Sequence, residues 1–478
     1  MNVQSLRFVR RMRLFVFQQV LLIFLGQKRT NLNGFGGSEM NLRVKLILFL
    51  CSGMIFISQY VSFGIERFPP PDFEPGTYTM PQATKPPPRA HYWEYIDMAL
   101  LLAALSLASY FVHKKRSRKH IFWLTLFSIF YFGFIRKGCV CPIGSIQNIT
   151  LALFNNGYLV PFSVVFFFLL PLIFTLFFGR TFCAAVCPLG AVQDIVVWKP
   201  IKIKPWLENA LRIIPFVYLG LAVLFAATGS AFVICEYDPF VSFYRLGGSV
   251  NMLALGGIFL VVGMFLGRPY CRFFCPYGAI LSILSRFSKW YVYLTSEDCV
   301  RCQICDVACP YGAIASPTPT SQENNPIISK WSVFGVIGLT VLLTIGGAYF
   351  GGKLSVPLSK VNYVVSLAER IAGEESGKYK GQTDESKTFR ERGGSIEQLY
   401  AEALKIRGNF ATGGSIFGAF IGLIAGLKLI ESRFTRQTNI YEPDRASCVA
   451  CGRCYSYCPR EIIRVRNLLK LRPIQKQE

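Results

Sequence analysis

Long apolar blocks separated by short polar loops dominate this chain. Blocks of membrane-spanning length, about 20 residues for a roughly 30 Å hydrocarbon core, fall near 45–64, 97–113, 120–135, 158–178, 211–234, 251–267, 331–350 and 414–430. The pattern predicts an α-helical polytopic membrane protein with about seven or eight transmembrane helices. Residues 1–65 read as an N-terminal extension followed by a signal-like or first transmembrane segment. Met40 offers a second start ahead of a basic stretch and the apolar run Leu46–Ser58. No A-x-A cleavage site follows, which favours a retained helix.

The polar stretches between the blocks differ in character. Residues 66–96 are Pro-rich, with Pro69–Pro71 and Pro86–Pro88, and read as an extended, exposed linker. The loop His113–His120 holds five Lys or Arg in eight residues, which places it on the cytoplasmic side. Sides then alternate: 136–157 outside, 179–210 inside, 235–250 outside, 268–330 inside, 351–413 outside and the tail from 431 inside. Arg136 and Lys137 run against the rule locally. Within this frame 97–290 is the transmembrane core, 331–350 and 414–430 are single helices, and 351–413 is a polar extracytoplasmic insertion. An amphipathic helix is expected there over Ile396–Ile406.

Composition agrees. Of 478 residues, 52% are hydrophobic and only 16% charged, against about 25% charged in an ordinary soluble chain. The net charge of +24 would raise nucleic-acid binding in a soluble protein. Here the membrane rule accounts for it, and no nucleic-acid partner is expected. A basic face suits an acidic redox partner.

Cysteine spacing carries the chemistry. Eight of the 16 cysteines form two identical C-x2-C-x2-C-x3-C-P runs. The first is Cys299, Cys302, Cys305, Cys309 and Pro310; the second is Cys448, Cys451, Cys454, Cys458 and Pro459. In a two-cluster ferredoxin, three cysteines of each run hold one cluster and the fourth ligates the other. The expected sets are therefore Cys299, Cys302, Cys305 and Cys458, and Cys448, Cys451, Cys454 and Cys309, each on a [4Fe–4S] cluster. Zinc would ask for a C-x2-C pair and a distant second pair, and disulfides would not produce this tandem. The runs lie in ferredoxin halves at 291–320 and 438–478, with two apolar blocks between them. An even number of crossings returns the chain to the same side, so a split bacterial 2[4Fe–4S] ferredoxin-like (α+β) module interrupted by a membrane hairpin is expected.

Three further segments repeat one another, each following an apolar helix and a basic residue and ending in C-P-x-G. They contain Cys139 and Cys141, Cys183 and Cys187, and Cys271 and Cys275; the first copy is shortened to C-x-C-P. The topology puts Cys183, Cys187, Cys271 and Cys275 on one face, enough for a third Fe–S cluster. Cys139 and Cys141 share the other face with Cys235. These three thiols are either a further metal site with a non-Cys ligand such as Asp238, or a redox-active thiol group. Inert cysteines at helix ends are the bland alternative for both groups. Cys51 stands alone in an apolar stretch and reads as packing. The three histidines, His91, His113 and His120, occur without C-x-x-C-H, so no covalent haem is expected. No P-loop or GxGxxG fingerprint stands out.

The C-x3-C-P pairs, the Cys235-Glu-Tyr-Asp-Pro-Phe loop and both ferredoxin runs resemble membrane polyferredoxins of the NapH and NosR type, over roughly 95–330 and 435–465. Assembly ferredoxins of the FixG type share the same parts. The resemblance implies electron transfer between a quinol, a flavoprotein or another low-potential donor and an extracytoplasmic acceptor, within a multi-subunit complex of the cytoplasmic membrane. It implies a subunit of an oxidoreductase system rather than a stand-alone enzyme. Two family features, an extracytoplasmic flavin-binding domain and an added β domain, are not evident in this sequence, and the 351–413 segment is outside the motif set. An assembly or maturation factor that reduces a metal or thiol on a partner enzyme is the competing reading. A redox-sensing regulator would need a signalling element, and none is found.

Overall fold

The computed structural model describes residues 90–138, 140–155, 157–245, 247, 250–294, 299–317, 330–379, 381–433 and 440–470. All lie in one unit, 72–478. The expectations for residues 1–65, Cys51 and Cys139 fall outside the described residues.

Helices make up almost all of the described structure, and the repeated Cys-Pro dipeptides explain where several begin. Pro142, Pro188 and Pro276 each open a helix at its first position, with Cys141, Cys187 and Cys275 as the preceding cap. Proline fits there because the first-turn N–H has no intrahelical partner to lose. The three dipeptides thus set a thiol against the amide-rich end of a helix, where negative charge is favoured.

Among the described residues, four helices are long and apolar enough to cross a membrane: Tyr92–His113, Trp206–Ala227, Gly335–Ser359 and Ile396–Glu431. Pro239–Arg245 and Val250–Phe265, bent by 107°, make a fifth if taken as one span. The expected blocks at 120–135 and 158–178 are helical but shorter. Arg118–Ser128 runs into a π-helical stretch, Ile129–Ile135, and Phe162–Phe178 carries Pro171 in its interior. The amphipathic stretch at Ile396–Ile406 is not a separate helix. It continues unbroken into the apolar block as Ile396–Arg433. Helices Tyr363–Glu375 and Asp384–Glu391 fill most of the remaining 351–413 segment.

Lys330–Ser359 and Ile396–Arg433 pack along one another through glycines. A Cβ on Gly418 would strike the Gly347 carbonyl, and one on Gly351 would strike that of Gly414. Small residues at four-residue spacing allow such close approach between membrane helices. On either side of this hairpin in sequence lie the two cysteine runs, and they meet. Ile314 pairs with Pro443 and Ala315 with Glu442 in a two-stranded antiparallel ladder.

The basic loop after the first helix gathers on the same face. Arg116 makes a buried ion pair with Glu461 at 3.0 Å, and Arg118 donates to the Cys451 carbonyl at 3.0 Å. Arg180 donates to the Ala446 carbonyl at 3.0 Å. His113 donates Nε2–H to the Phe178 carbonyl at 2.9 Å. Arg136, which runs against the charge rule, is paired with wholly buried Asp97 at 2.8 Å, so its charge is met inside the protein.

Candidate functional site

Each ferredoxin run bends through left-handed residues at matching places. Arg301 and Gln303 flank Cys302 with φ of 52° and 61°; Ala450 and Gly452 flank Cys451 with 53° and 71°. Alternating right- and left-handed residues turn successive amides toward one concavity, a nest suited to an anion. Short helices, Ile304–Ala308 and Arg453–Tyr457, then carry the third cysteine of each run.

The structure brings the cysteines together in crossed sets. Cys305 lies within electrostatic reach of Cys302, Cys299 and Cys458, the last from the other run. Cys454 lies within electrostatic reach of Cys448, Cys451 and Cys309, the last from the other run. A cavity opens among Cys309, Cys448, Cys451 and Cys454. Burial pushes the Cys305 thiol up to about 11, with its three neighbours adding to the rise. Burial likewise pushes Cys448 up to about 12, reinforced by Cys451 and Cys309. Crowded thiols of this kind are held protonated until a cation takes the place of the protons.

A third set forms at the membrane-edge repeats. Cys187 has Cys271, Cys183 and Cys275 around it. Backbone and side-chain N–H groups point at the sulfurs: Gly278 donates to Cys275 Sγ at 3.3 Å and Gln193 Nε2 to Cys271 Sγ at 3.4 Å. At the shortened repeat, Cys141 lies near Asp238 and Cys235.

Side chains join the sets in a row. Cys305, Ile314 and Tyr441 pack in one cluster with Cys299 and with Cys309 and Cys454. Tyr311, Val449 and Cys451 pack with Cys309, Cys448 and Cys183. Between the second and third sets sits Asp194, 3% exposed. It is paired with Arg268 at 3.5 Å, with Arg453 at 3.2 Å and with Arg118, and it accepts from the Tyr311 hydroxyl at 2.6 Å. Burial alone would raise its carboxyl, but the three guanidiniums and Tyr311 hold it well below the usual carboxylate range. Arg268 also donates to the carbonyls of Cys183 and Ala184, so one buried hub touches both neighbouring thiol sets.

Two family models match, both described as 4Fe-4S binding domains. One covers residues 160–213 and 249–292, the other 441–464. An uncharacterized protein of Methanocaldococcus jannaschii, MJ0750, is 31% identical over 190 residues, covering 39% of this chain and 79% of that one. YccM of Escherichia coli, provisionally named for electron transport, is 25% identical over 115 residues, 22% of this chain and 32% of YccM. Protein NirI of Paracoccus denitrificans is 30% identical over 97 residues, 20% of this chain and 14% of NirI. The chain belongs to the 4Fe–4S membrane polyferredoxins. No solved structure matches it.

The residues of this polyferredoxin fit iron–sulfur clusters by donor chemistry. The three sets supply soft thiolates, amide donors and neighbouring guanidiniums, the combination that holds and tunes such clusters. Among the described residues, no three His, Cys, Asp or Glu side chains converge as a single ion requires; a cluster spreads its ligands over several irons. Cysteine spacing alone does not announce Asp194. Its sequence signal is indirect: a Gly-Arg pair precedes both complete C-x3-C-P motifs, at Arg180 and Arg268, and buried arginines need an acid.

Proposed function

We propose that this polyferredoxin relays single electrons across a cell's inner membrane, on clusters held by its three thiol sets. Cys299, Cys302, Cys305 and Cys458 would hold one [4Fe–4S] cluster, Cys309, Cys448, Cys451 and Cys454 a second, and Cys183, Cys187, Cys271 and Cys275 a third. Such clusters change charge by one unit, at potentials set by burial and hydrogen bonds to sulfur.

The observation that carries the reading is the row itself. Adjacent sets share packed side chains, and the row runs from a set that includes exposed Cys302 to one that includes buried Cys187 and Cys275. A catalyst needs one open site; a relay needs several closed ones in contact, with an accessible end. The two runs then form a split two-cluster ferredoxin whose halves are separated by the glycine-packed hairpin. Arg118, Arg180 and Arg268 bring the basic loops to this module, which supports a cytoplasmic position for it. That alternation uses Arg118–Ile135, Phe162–Phe178 and Val250–Phe265 as crossings beside the four long helices. A quinol, a flavoprotein or a low-potential cytoplasmic donor would feed the row, and an extracytoplasmic redox protein would drain it.

Potentiometric EPR on membranes, with and without a quinol, tests this. The expected result is several cluster signals, at least one reduced by the quinol. Signals reduced only at lower potential would replace the quinol with a stronger donor, and membranes with no redox-active cluster signal would end the relay reading.

A further inference from the structure

The shortened repeat is built like the complete one. In the inner set, the helix after Cys187 carries Gln193, whose Oε1 accepts the Tyr270 N–H at 3.1 Å and whose Nε2 donates to Cys271 Sγ at 3.4 Å. In the outer group, the helix after Cys141 carries Gln147, whose Oε1 accepts the Ile234 N–H at 3.0 Å, one residue before Cys235. Glutamine, backbone partner and following cysteine occupy the same relative places. The approach of helix to sulfur repeats too. A Cβ on Gly190 would sit 3.6 Å from Cys271 Sγ, and one on Gly144 would sit 3.3 Å from Cys235 Sγ.

The fourth corner also has a counterpart. Cys275 caps the helix begun by Pro276, its Sγ accepting the Gly278 N–H. Asp238 stands before Pro239 in the same role, its Oδ1 accepting the Phe240 N–H at 2.9 Å. An ordinary capping aspartate faces water, whereas Asp238 is 2% exposed and lies beside Cys141. Burying a carboxylate there is costly, and the Phe240 and Val241 N–H groups and the nearby Arg245 charge offset part of that cost.

Two buried donors point to something more. Gln147, wholly buried, leaves Nε2 without a partner among the described residues, and so does the hydroxyl of Tyr270, 3% exposed. The equivalent atom of Gln193 is satisfied by sulfur. Tyr270 lies within reach of both Asp238 and Cys141. Buried polar atoms without partners call for a group not yet counted.

We infer that Cys141, Cys235 and Asp238 form a second membrane-edge iron–sulfur site, an internal duplicate of the Cys187–Cys271–Cys275 arrangement with a carboxylate in place of one thiolate. The unpartnered Nε2 of Gln147 would be the donor to a sulfur of that cluster. These three ligands lie outside the residues that either family model matches. Cys139 lies outside the described residues, and nothing rests on it. The site extends the proposed relay but is independent of it, since it concerns ligation and not the direction of flow.

Iron and sulfide counting with EPR on the purified full chain tests the site. Cys235→Ser should lose about four irons per chain and one EPR signal, leaving the signal that Cys271→Ser removes. Asp238→Cys should keep the iron and shift the g-values and midpoint of that outer signal alone. Should Cys235→Ser fold poorly, Gln147→Leu keeps all ligands and removes one N–H donor to sulfur; it should lower the midpoint of the same signal. Iron and spectra unchanged in Cys235→Ser and Asp238→Cys, or zinc lost in place of iron, would overturn the site. The relay is judged separately, by quinol reduction of signals that Cys235→Ser leaves intact.

Discussion

Asp194 lies on the helix that follows Cys187 but outside the repeated motif itself. Its charge is held by Arg268, Arg453 and Arg118, drawn from three distant parts of the chain. Asp194→Asn leaves these guanidiniums buried without their counter-charge, a loss of about 3–5 kcal/mol for a broken buried pair. Because the folded carboxyl lies below its unfolded value of about 3.9, the stability it contributes is full above that value. It drains only as pH falls through the lower folded value. Thermal unfolding in detergent should therefore show the wild type well above Asp194→Asn at neutral pH, with the gap narrowing in acid. The cysteines were legible from spacing because cluster ligation fixes the interval between thiols. Asp194 was not, since ion pairing in three dimensions leaves no interval in the sequence.

At the scale of elements, apolar blocks located helices well and their ends poorly. Hydropathy marks 414–430 as a span, yet the helix begins at Ile396, because nothing in its polar first turns breaks it. The converse holds at 120–135, where an apolar block is made of an α-helix and a π-helical stretch. The hairpin between the cysteine runs depends on its glycines. Gly418→Leu would drive a side chain into the Gly347 carbonyl, and overpacking typically costs about 1–3 kcal/mol. The expected outcome is a lower unfolding temperature and, on the proposed cluster assignment, weaker signals from the two ferredoxin sets with the membrane-edge signal largely kept. Gly377, with open space around it, lies outside this contact, so Gly377→Asn serves as the control.

For the whole molecule, the net charge of +24 and the exposed Cys302 bear on the proposed relay if its donor is an acidic protein. An acidic donor is steered by a basic face, and salt screens that attraction over a Debye length of about 10 Å at 0.1 M. Reduction by such a donor in stopped-flow should slow as ionic strength rises, whereas a small neutral reductant should be indifferent to salt. The pairing of Ile314 with Pro443 has a consequence for how the protein is made. The thiols of the first run leave the ribosome long before Cys458, and the intervening chain must be inserted and brought back before the two strands can meet. Neither crossed set exists in a nascent chain that stops short of the second run. If the crossed sets hold clusters as proposed, iron delivery to this module follows insertion of the intervening chain, and a truncated product lacks a complete site to load.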